Sequence, residues 1–374
     1  MLARTRLSGL LVLWLAPMCA GAQTSAPAAP AADTTPKIAF GAFIDGYYAW
    51  DFDRPYNFDR AYTTQPARHA EFNINLAYVE VKLTAPNFRG RLALQFGTSV
   101  QDLYAAEPHI GDVSGPSVAE FIQEATAGYK LSPTLWIDGG IFAAHTGYEG
   151  WISRDNLTYT RSIMADYSAY YEAGVKLTWT PSQAVAAQFL VLNGWQDISN
   201  YNTPPALGAR VDYTVSPVLT LSYDNFVGVV SPDTVIPQVR FFNEWIAQYN
   251  PTARWQLAAA VDVGLQSRTA TAHGTATWDG AALIAKYHPT AKVGIVGRIE
   301  RYADPSRAII QTNLPTTFEA SGASLGVDVS PVSRLLWRTE ARALRADRPV
   351  FPLHHAGDYS RNDGFLVTSL ALTI

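Results

Sequence analysis

Pro251-Thr252-Ala253-Arg254-Trp255-Gln256-Leu257-Ala258-Ala259-Ala260-Val261-Asp262-Val263-Gly264-Leu265-Gln266 is the stretch that decides the fold. After its proline turn, Trp255, Leu257, Ala259, Val261, Val263 and Leu265 keep one parity, while Gln256, Asp262 and Gln266 keep the other. Successive side chains of a strand point to opposite faces, so a period of two this long describes a strand between two different solvents. The same short turn recurs at Ala85-Pro86-Asn87, Ser132-Pro133-Thr134, Thr180-Pro181-Ser182, Ser216-Pro217-Val218, His288-Pro289-Thr290 and Ser330-Pro331-Val332. Gaps of 34 to 48 residues separate these prolines, room for two long strands and a polar loop. The expected fold is therefore all-β: a transmembrane antiparallel up-and-down β-barrel of about 16 strands, with periplasmic proline turns and longer extracellular loops.

Working outward, the first residues belong to export rather than to the fold. Arg4 and Arg6 precede an apolar stretch from Leu7 to Ala16, and Ala20-Gly21-Ala22 forms a small-residue cleavage site. Residues 1–22 are expected to be a secretory signal peptide, which directs the chain out of the cytoplasm toward the bacterial outer membrane. Residues 23–36, rich in Ala, Pro and Thr, are expected to be a disordered tether, and residues 37–374 the barrel. Cys19 is the only cysteine, so a mature chain has neither disulfides nor thiolate metal sites. With two of the 28 basic residues in the leader, the rest carries 26 against 32 acidic, a net of −6. No basic run appears, which argues against nucleic acid as a partner.

Overall 48% hydrophobic composition suits a barrel whose strands face water on one side. No stretch after the leader approaches the roughly twenty apolar residues that a spanning helix needs. Aromatics near strand ends (Trp50, Tyr129, Trp179, Trp195, Tyr249, Trp278, Tyr287 and Trp337) are expected to form girdles at the two membrane interfaces. Strands are expected at 90–101, 117–130 and 167–180 among others, and the last at 363–374. Within 71–84 the parity changes: Phe72, Ile74 and Leu76 share one face, Val79, Val81 and Leu83 the other. A β-bulge near Ala77-Tyr78 would reconcile them. A β-propeller also repeats near forty residues, but its blades need four short strands per repeat rather than two long ones.

Parity then assigns the charges. With Val293, Ile295, Gly297 and Ile299 facing lipid, Lys292, Arg298, Glu300 and Tyr302 point into the lumen. The same rule turns Arg338, Glu340 and Arg342 inward, since an arginine facing lipid at mid-depth costs about 2–4 kcal/mol. Asp45, Asp51, Arg91, Asp138, Glu172, Lys176, Arg210, Asp212 and Asp262 fall on the inward parity as well. Such a wall of mixed sign can screen permeating solutes, or its Arg–Glu pairs can simply stiffen the barrel. Arg298, Arg338 and Arg342 form the candidate cationic strip, diluted by Glu300 and Glu340. No G-x-S-x-G motif, phosphate-cradling glycine loop or second histidine cluster beside His354-His355 points to catalysis, a cofactor or a metal.

Several segments together resemble the OmpL-like β-barrel porins of the porin-2 type. They are Gly140-Ile-Phe-Ala-Ala-His-Thr-Gly-Tyr148-Glu149 with Asn156-Leu-Thr-Tyr159-Thr-Arg161-Ser162, Phe72-Asn-Ile-Asn75, Asn193-Gly-Trp195, Arg298-Ile-Glu300-Arg-Tyr302-Ala-Asp304 and Arg338-Thr-Glu340-Ala-Arg342. The resemblance runs from about residue 40 to the end. It departs from the family pattern at Gln196, where an acid is expected, and at Arg348-Pro349. It implies a general outer-membrane channel for small hydrophilic solutes, embedded in the outer-membrane bilayer and forming a homo-oligomer as many porins do. By porin analogy the third long loop, Gly147 to Ser162, folds inward, with Tyr148, Glu149 and Arg161 lining a constriction or pinning the loop. The rival function class is a structural or adhesive barrel whose surface loops bind a partner without conducting.

Overall fold

A computed structural model describes residues 35–231, 236–268, 274–312 and 314–374. The expected signal peptide and all but the last two residues of the expected tether lie outside these described residues. From Pro36 onward the chain is one unit built of strands. In chain order they are β1 (Lys37–Asp51), β2 (Phe72–Thr84), β3 (Phe88–Phe96), β4 (Ile122–Ser132), β5 (Leu135–Ala143), β6 (Tyr171–Trp179), β7 (Val185–Leu192), β8 (Ala206–Ser216) and β9 (Leu219–Val229). They continue as β10 (Val239–Thr252), β11 (Trp255–Ser267), β12 (Thr275–Thr290), β13 (Val293–Asp304), β14 (Phe318–Val332), β15 (Leu335–Ala346), β16 (Phe351–Pro352), β17 (Tyr359–Ser360) and β18 (Asn362–Thr373). Sixteen of these close into one antiparallel barrel, each hydrogen-bonded to its chain neighbours, with β18 pairing β1 from Phe43↔Thr373 to Asp51↔Phe365. Closure leaves no open edge, so backbone donors and acceptors in hydrocarbon are paired. The remaining two, β16 and β17, make a small hairpin in the last long loop.

Parity holds in the wall. Along β13, Ile295 and Ile299 face outward while Gly294, Val296, Arg298, Glu300 and Tyr302 are buried inside. The prolines act in two ways. Pro133 and Pro217 occupy the turns after β4 and β8, whereas Pro251, Pro289 and Pro331 lie within the last residues of β10, β12 and β14. There the pairing slips, between Tyr249/Thr252, Tyr287/Thr290 and Val329/Val332. A bulge leaves a residue unpaired, and proline has no N–H to waste at such a place.

Five sequence expectations need correction. The bulge of β2 falls at Asn75 rather than Ala77-Tyr78, because Asp45 pairs Leu76 and the next residue, Gly46, pairs Ile74. Leu76 is thereby turned inward, away from Phe72 and Ile74, and Asn75 Nδ2 donates to Asp45 at 2.9 Å. Gly97, at φ 143°, approaches this bulge so closely that a Cβ there would meet the Asn75 carbonyl oxygen at 2.3 Å. Secondly, the strand expected at 90–101 stops at Phe96, where helix α1 (Thr98–Tyr104) begins. The strand expected from 117 starts at Ile122 after helix α2 (Pro116–Ala119), and that expected from 167 starts at Tyr171 after helix α3 (Ile163–Asp166). Local apolar pattern extends into these segments because they pack inside the barrel mouth, where Val100, Leu103, Tyr104 and Ile163 are buried. Finally, Trp195 and Trp278 are not girdle residues. Both lie inside, stacked under Arg240 at 4.9 and 5.5 Å, whereas Tyr129, Trp179, Tyr249 and Trp337 do face outward.

Candidate functional site

The long connection between β5 and β6, residues 144–170, carries a short 3-10 turn (Ser153–Asp155) and α3. It leaves one wall and is held on the inner face of β13–β15, which stand halfway round the ring. Charge-assisted hydrogen bonds make that attachment, and they are the strong kind in a site closed to water. Arg338 Nη1 donates to the Ser153 carbonyl at 2.6 Å, and its Nη2 donates to the Asn156 and Leu157 carbonyls at 3.0 and 2.6 Å. Asp328 from β14 holds the same guanidinium at 2.9 Å. Arg298 donates to Thr158 Oγ1 at 2.9 Å and Thr160 Oγ1 at 3.0 Å, and its Nη1 lies 3.3 Å from Glu149. Glu340 accepts from both the N–H and the hydroxyl of Thr160, each at 2.8 Å.

Glu300 joins the two kinds of contact. Arg342 grips it with two bonds of 2.9 and 2.8 Å, while the Ile163 N–H at the start of α3 donates to it at 2.8 Å. On the β1 side, Asp45 accepts from Ser153 Oγ at 2.7 Å and from the Tyr159 hydroxyl at 3.4 Å. Arg298, Glu300, Arg338, Glu340 and Arg342 are all buried, the three arginines at 1–3% exposure, so they face the loop rather than open water.

Glu149 and Arg161 brace the loop internally. Glu149 accepts the Ser162 N–H at 3.0 Å and also its hydroxyl. Arg161 donates to Thr64 Oγ1 at 2.6 Å, pairs Asp166 at 3.4 Å and lies 3.6 Å over the Tyr170 ring. Tyr148 is half-buried and packs on Met164 and its neighbours, so its hydroxyl is pushed above its ordinary pKa by burial. At the loop's root, His145 has a carboxylate of Glu172 at 2.8 Å on Nδ1 and the Asn225 carbonyl at 2.8 Å on Nε2. Both partners accept, so both ring nitrogens are called on to donate, which only the imidazolium can do. Glu172 thus serves the root rather than an open wall. A histidine two residues past a strand, with a glutamate second in the next, was the available signal, and sequence reasoning did not use it.

Arg91, Asp138 and Lys176 converge elsewhere, in a polar recess of about 350 Å³ on the inner face of β2–β6. Arg89 holds Asp138 with its Nε at 2.7 Å, and Arg91 holds Glu80 at 2.7 Å and also Glu124. Lys82 reaches Glu80 at 2.8 Å. Lys176 lies over the Phe142 ring at 4.4 Å, and Glu124, Asp138 and Glu172 act on its charge from beyond ion-pair distance. Arg89, Lys82, Glu80 and Glu124 share the inward parity but were not singled out from sequence. Further round, Arg210 pairs Asp212 at 3.0 Å and Asp224 at 3.2 Å, while Asp262 is buried under the loop.

A closed sixteen-stranded antiparallel barrel with a charge-locked inward loop defines a porin-type outer-membrane barrel. The model of the family described as "Putative beta-barrel porin-2, OmpL-like" matches residues 37–374, and the chain belongs to that family. Among solved structures, the anion-selective porin from Comamonas acidovorans superposes with a TM-score of 0.62 at 10% identity, covering 91% of this chain and 100% of that one. The outer-membrane channel DcaP of Acinetobacter baumannii gives 0.61 at 10% identity, covering 91% and 98%. OmpT of Vibrio cholerae in its trimer form gives 0.57 at 10% identity, covering 91% and 99%. At such identity these likenesses concern the fold alone. No curated protein matches the sequence.

Proposed function

We propose that the protein is an outer-membrane channel for passive diffusion of small hydrophilic solutes, narrowed by the loop at 144–170. The observation that carries this reading is the loop's attachment through Arg298, Glu300, Arg338 and Glu340 to the wall facing its root. A purely structural barrel has no need of a loop drawn across its lumen. In this reading Arg298, Arg338 and Arg342 are anchors, and Glu149 and Arg161 pins. Solutes meet instead the recess of Lys82, Arg89, Arg91 and Lys176, four cations against Glu80, Glu124 and Asp138. Local wall charge governs permeation because potentials decay over about 8 Å at physiological salt. The channel is therefore proposed to favour anions mildly, and to act as a homo-oligomer in the outer-membrane bilayer. Planar-bilayer conductance of the refolded protein tests the reading: discrete ohmic steps support it, and a silent bilayer with correctly folded protein overturns it.

A further inference from the structure

The outer wall of the barrel carries a charged ribbon that a channel does not require. Among the described residues of the barrel strands, the lipid-facing parity holds only four ionisable Asp, Glu, Lys or Arg side chains: Asp279, Arg301, Glu319 and Arg345. They stand on four consecutive strands, β12 to β15, one on each, with signs alternating. Arg301 pairs Ser321, and Ser321 pairs Arg345, so two guanidinium stems flank one small residue across three strands. Arg301 is held by Asp279 at 2.9 Å and Glu319 at 3.4 Å, whereas Arg345 is exposed with no ion pair among the described residues. Asp347 and Arg348, just beyond β15, pair each other at 3.7 Å.

Depth gives this ribbon its meaning. It lies toward the strand ends that lead into the long loops, directly beyond the outward apolar residues Ile299, Ala323 and Ala343. An exposed arginine does not belong in hydrocarbon, so the row marks the headgroup layer at the long-loop side. Below it the wall is grooved. Gly297, Ala285 and Ala259 open an apolar groove of about 620 Å³ under Arg301. Thr339, Ala341 and Leu366 open another of about 400 Å³ under Arg345. Arg345, unpaired among the described residues at headgroup height and beside Arg301 with its two carboxylates, stands above two apolar grooves, an arrangement complementary to a molecule with an anionic head and several acyl chains. We propose that β12–β15 bind a phosphorylated lipid of the outer leaflet, its phosphate on Arg345 and Arg301 and its chains in the two grooves. The arginine geometry suits phosphate, whose oxygens accept the paired N–H donors of a guanidinium.

This site goes beyond the channel reading, because its residues do not touch the lumen. Refolded full-length protein is mixed with bisphosphorylated lipid A in detergent, and bound lipid is counted by native mass spectrometry. Parallel arms use the dephosphorylated glycolipid and free inorganic phosphate. The expected result is retention of the phosphorylated lipid alone, falling by about five-fold for Arg345→Ala and further for Arg301→Glu/Arg345→Glu. Conductance in phosphatidylcholine bilayers is expected to stay at the wild-type value in both variants, so a silent channel would indict the channel reading and not this site. Equal retention of the dephosphorylated lipid, or undiminished retention by Arg345→Ala, overturns the proposal. So does a change in oligomeric state without change in lipid retention, which would make the ribbon a contact between copies of the chain.

Discussion

The inner faces of β13–β15 and of β2–β6 carry similar charges and use them differently. On β13–β15, Arg298, Arg338 and Arg342 are closed in by carboxylates and by loop carbonyls. On β2–β6, Arg91 keeps about a fifth of its side chain exposed and Lys82 about half. The first region is saturated and the second has charge to spare. What separates them is the loop from β5, which lands on one wall and leaves the other bare. A charged inward residue is therefore a pore residue only if nothing else in the chain has claimed it.

The largest effect should come from breaking the saturated wall. Arg338→Ala leaves three loop carbonyls without their donor and Asp328 with Lys286 alone, and removing one partner of a buried ion pair costs about 3–5 kcal/mol. The expected outcome is a detached loop, read as larger and noisier single-channel conductance in a barrel that still shows heat-modifiable migration. Unchanged conductance would mean that the loop is held without this anchor. Next in size is a lipid-side change: Ile295→Arg, facing outward on β13, should cost about 2–4 kcal/mol and reduce insertion into lipid vesicles. Lys176→Ala, inward on β6, should insert like the wild type, and equal damage from both would reverse inside and outside.

A smaller effect belongs to the open wall. Lys176→Glu combined with Arg91→Glu should move the reversal potential in a salt gradient toward cations, with the shift shrinking at high salt. The same reversal at Arg342, whose guanidinium is spent on Glu300, should alter loop stability more than ion preference. If Arg342→Glu moves selectivity as far as the open-wall pair does, the contrast between the two walls fails.

Strand parity was legible because it is local. Trp255 to Gln266 states its two faces with no knowledge of any neighbour, and the outward row of β11 follows it. The inward placement of Arg298 or Asp45 followed from the same rule. What those side chains touch was not legible, since Arg338 meets Ser153 across 185 positions of sequence. The bulge of β2 was sensed from its broken alternation but misplaced, because Asp45 on β1 and Gly97 just after β3 fix Asn75 from outside its own strand. Trp278 looks like a girdle residue by its position near a strand end; its parity, opposite to Asp279 beside it, places it inside.

The root of the loop should respond to pH, and this is the smallest of the expected effects. Burial opposes charge on His145, but the Glu172 carboxylate and the Asn225 carbonyl outweigh it, so its pKa is raised above the ordinary value of about 6.5. Asp224 from β9 adds to the same side, while Arg210 from β8 donates to the His145 and Gly147 carbonyls at 3.0 and 3.2 Å and ties the root to the wall. A histidine with a raised folded pKa contributes its stability in full below the unfolded value. That contribution is lost as pH rises through the folded value, when one ring nitrogen gives up its proton and leaves an acceptor facing an acceptor. One charged hydrogen bond is worth about 1.5–3 kcal/mol, against several such bonds at the β13–β15 end. The expected outcome is therefore a loosened root with the far end still held: current noise rising as pH climbs above the ordinary histidine range and through the raised pKa of His145, with little change in mean conductance. His145→Gln, which cannot titrate, should show the same noise at every pH. A wild-type noise profile that is flat, or that rises on acidification instead, would remove His145 as the titrating group and place the loop's stability wholly in the saturated wall.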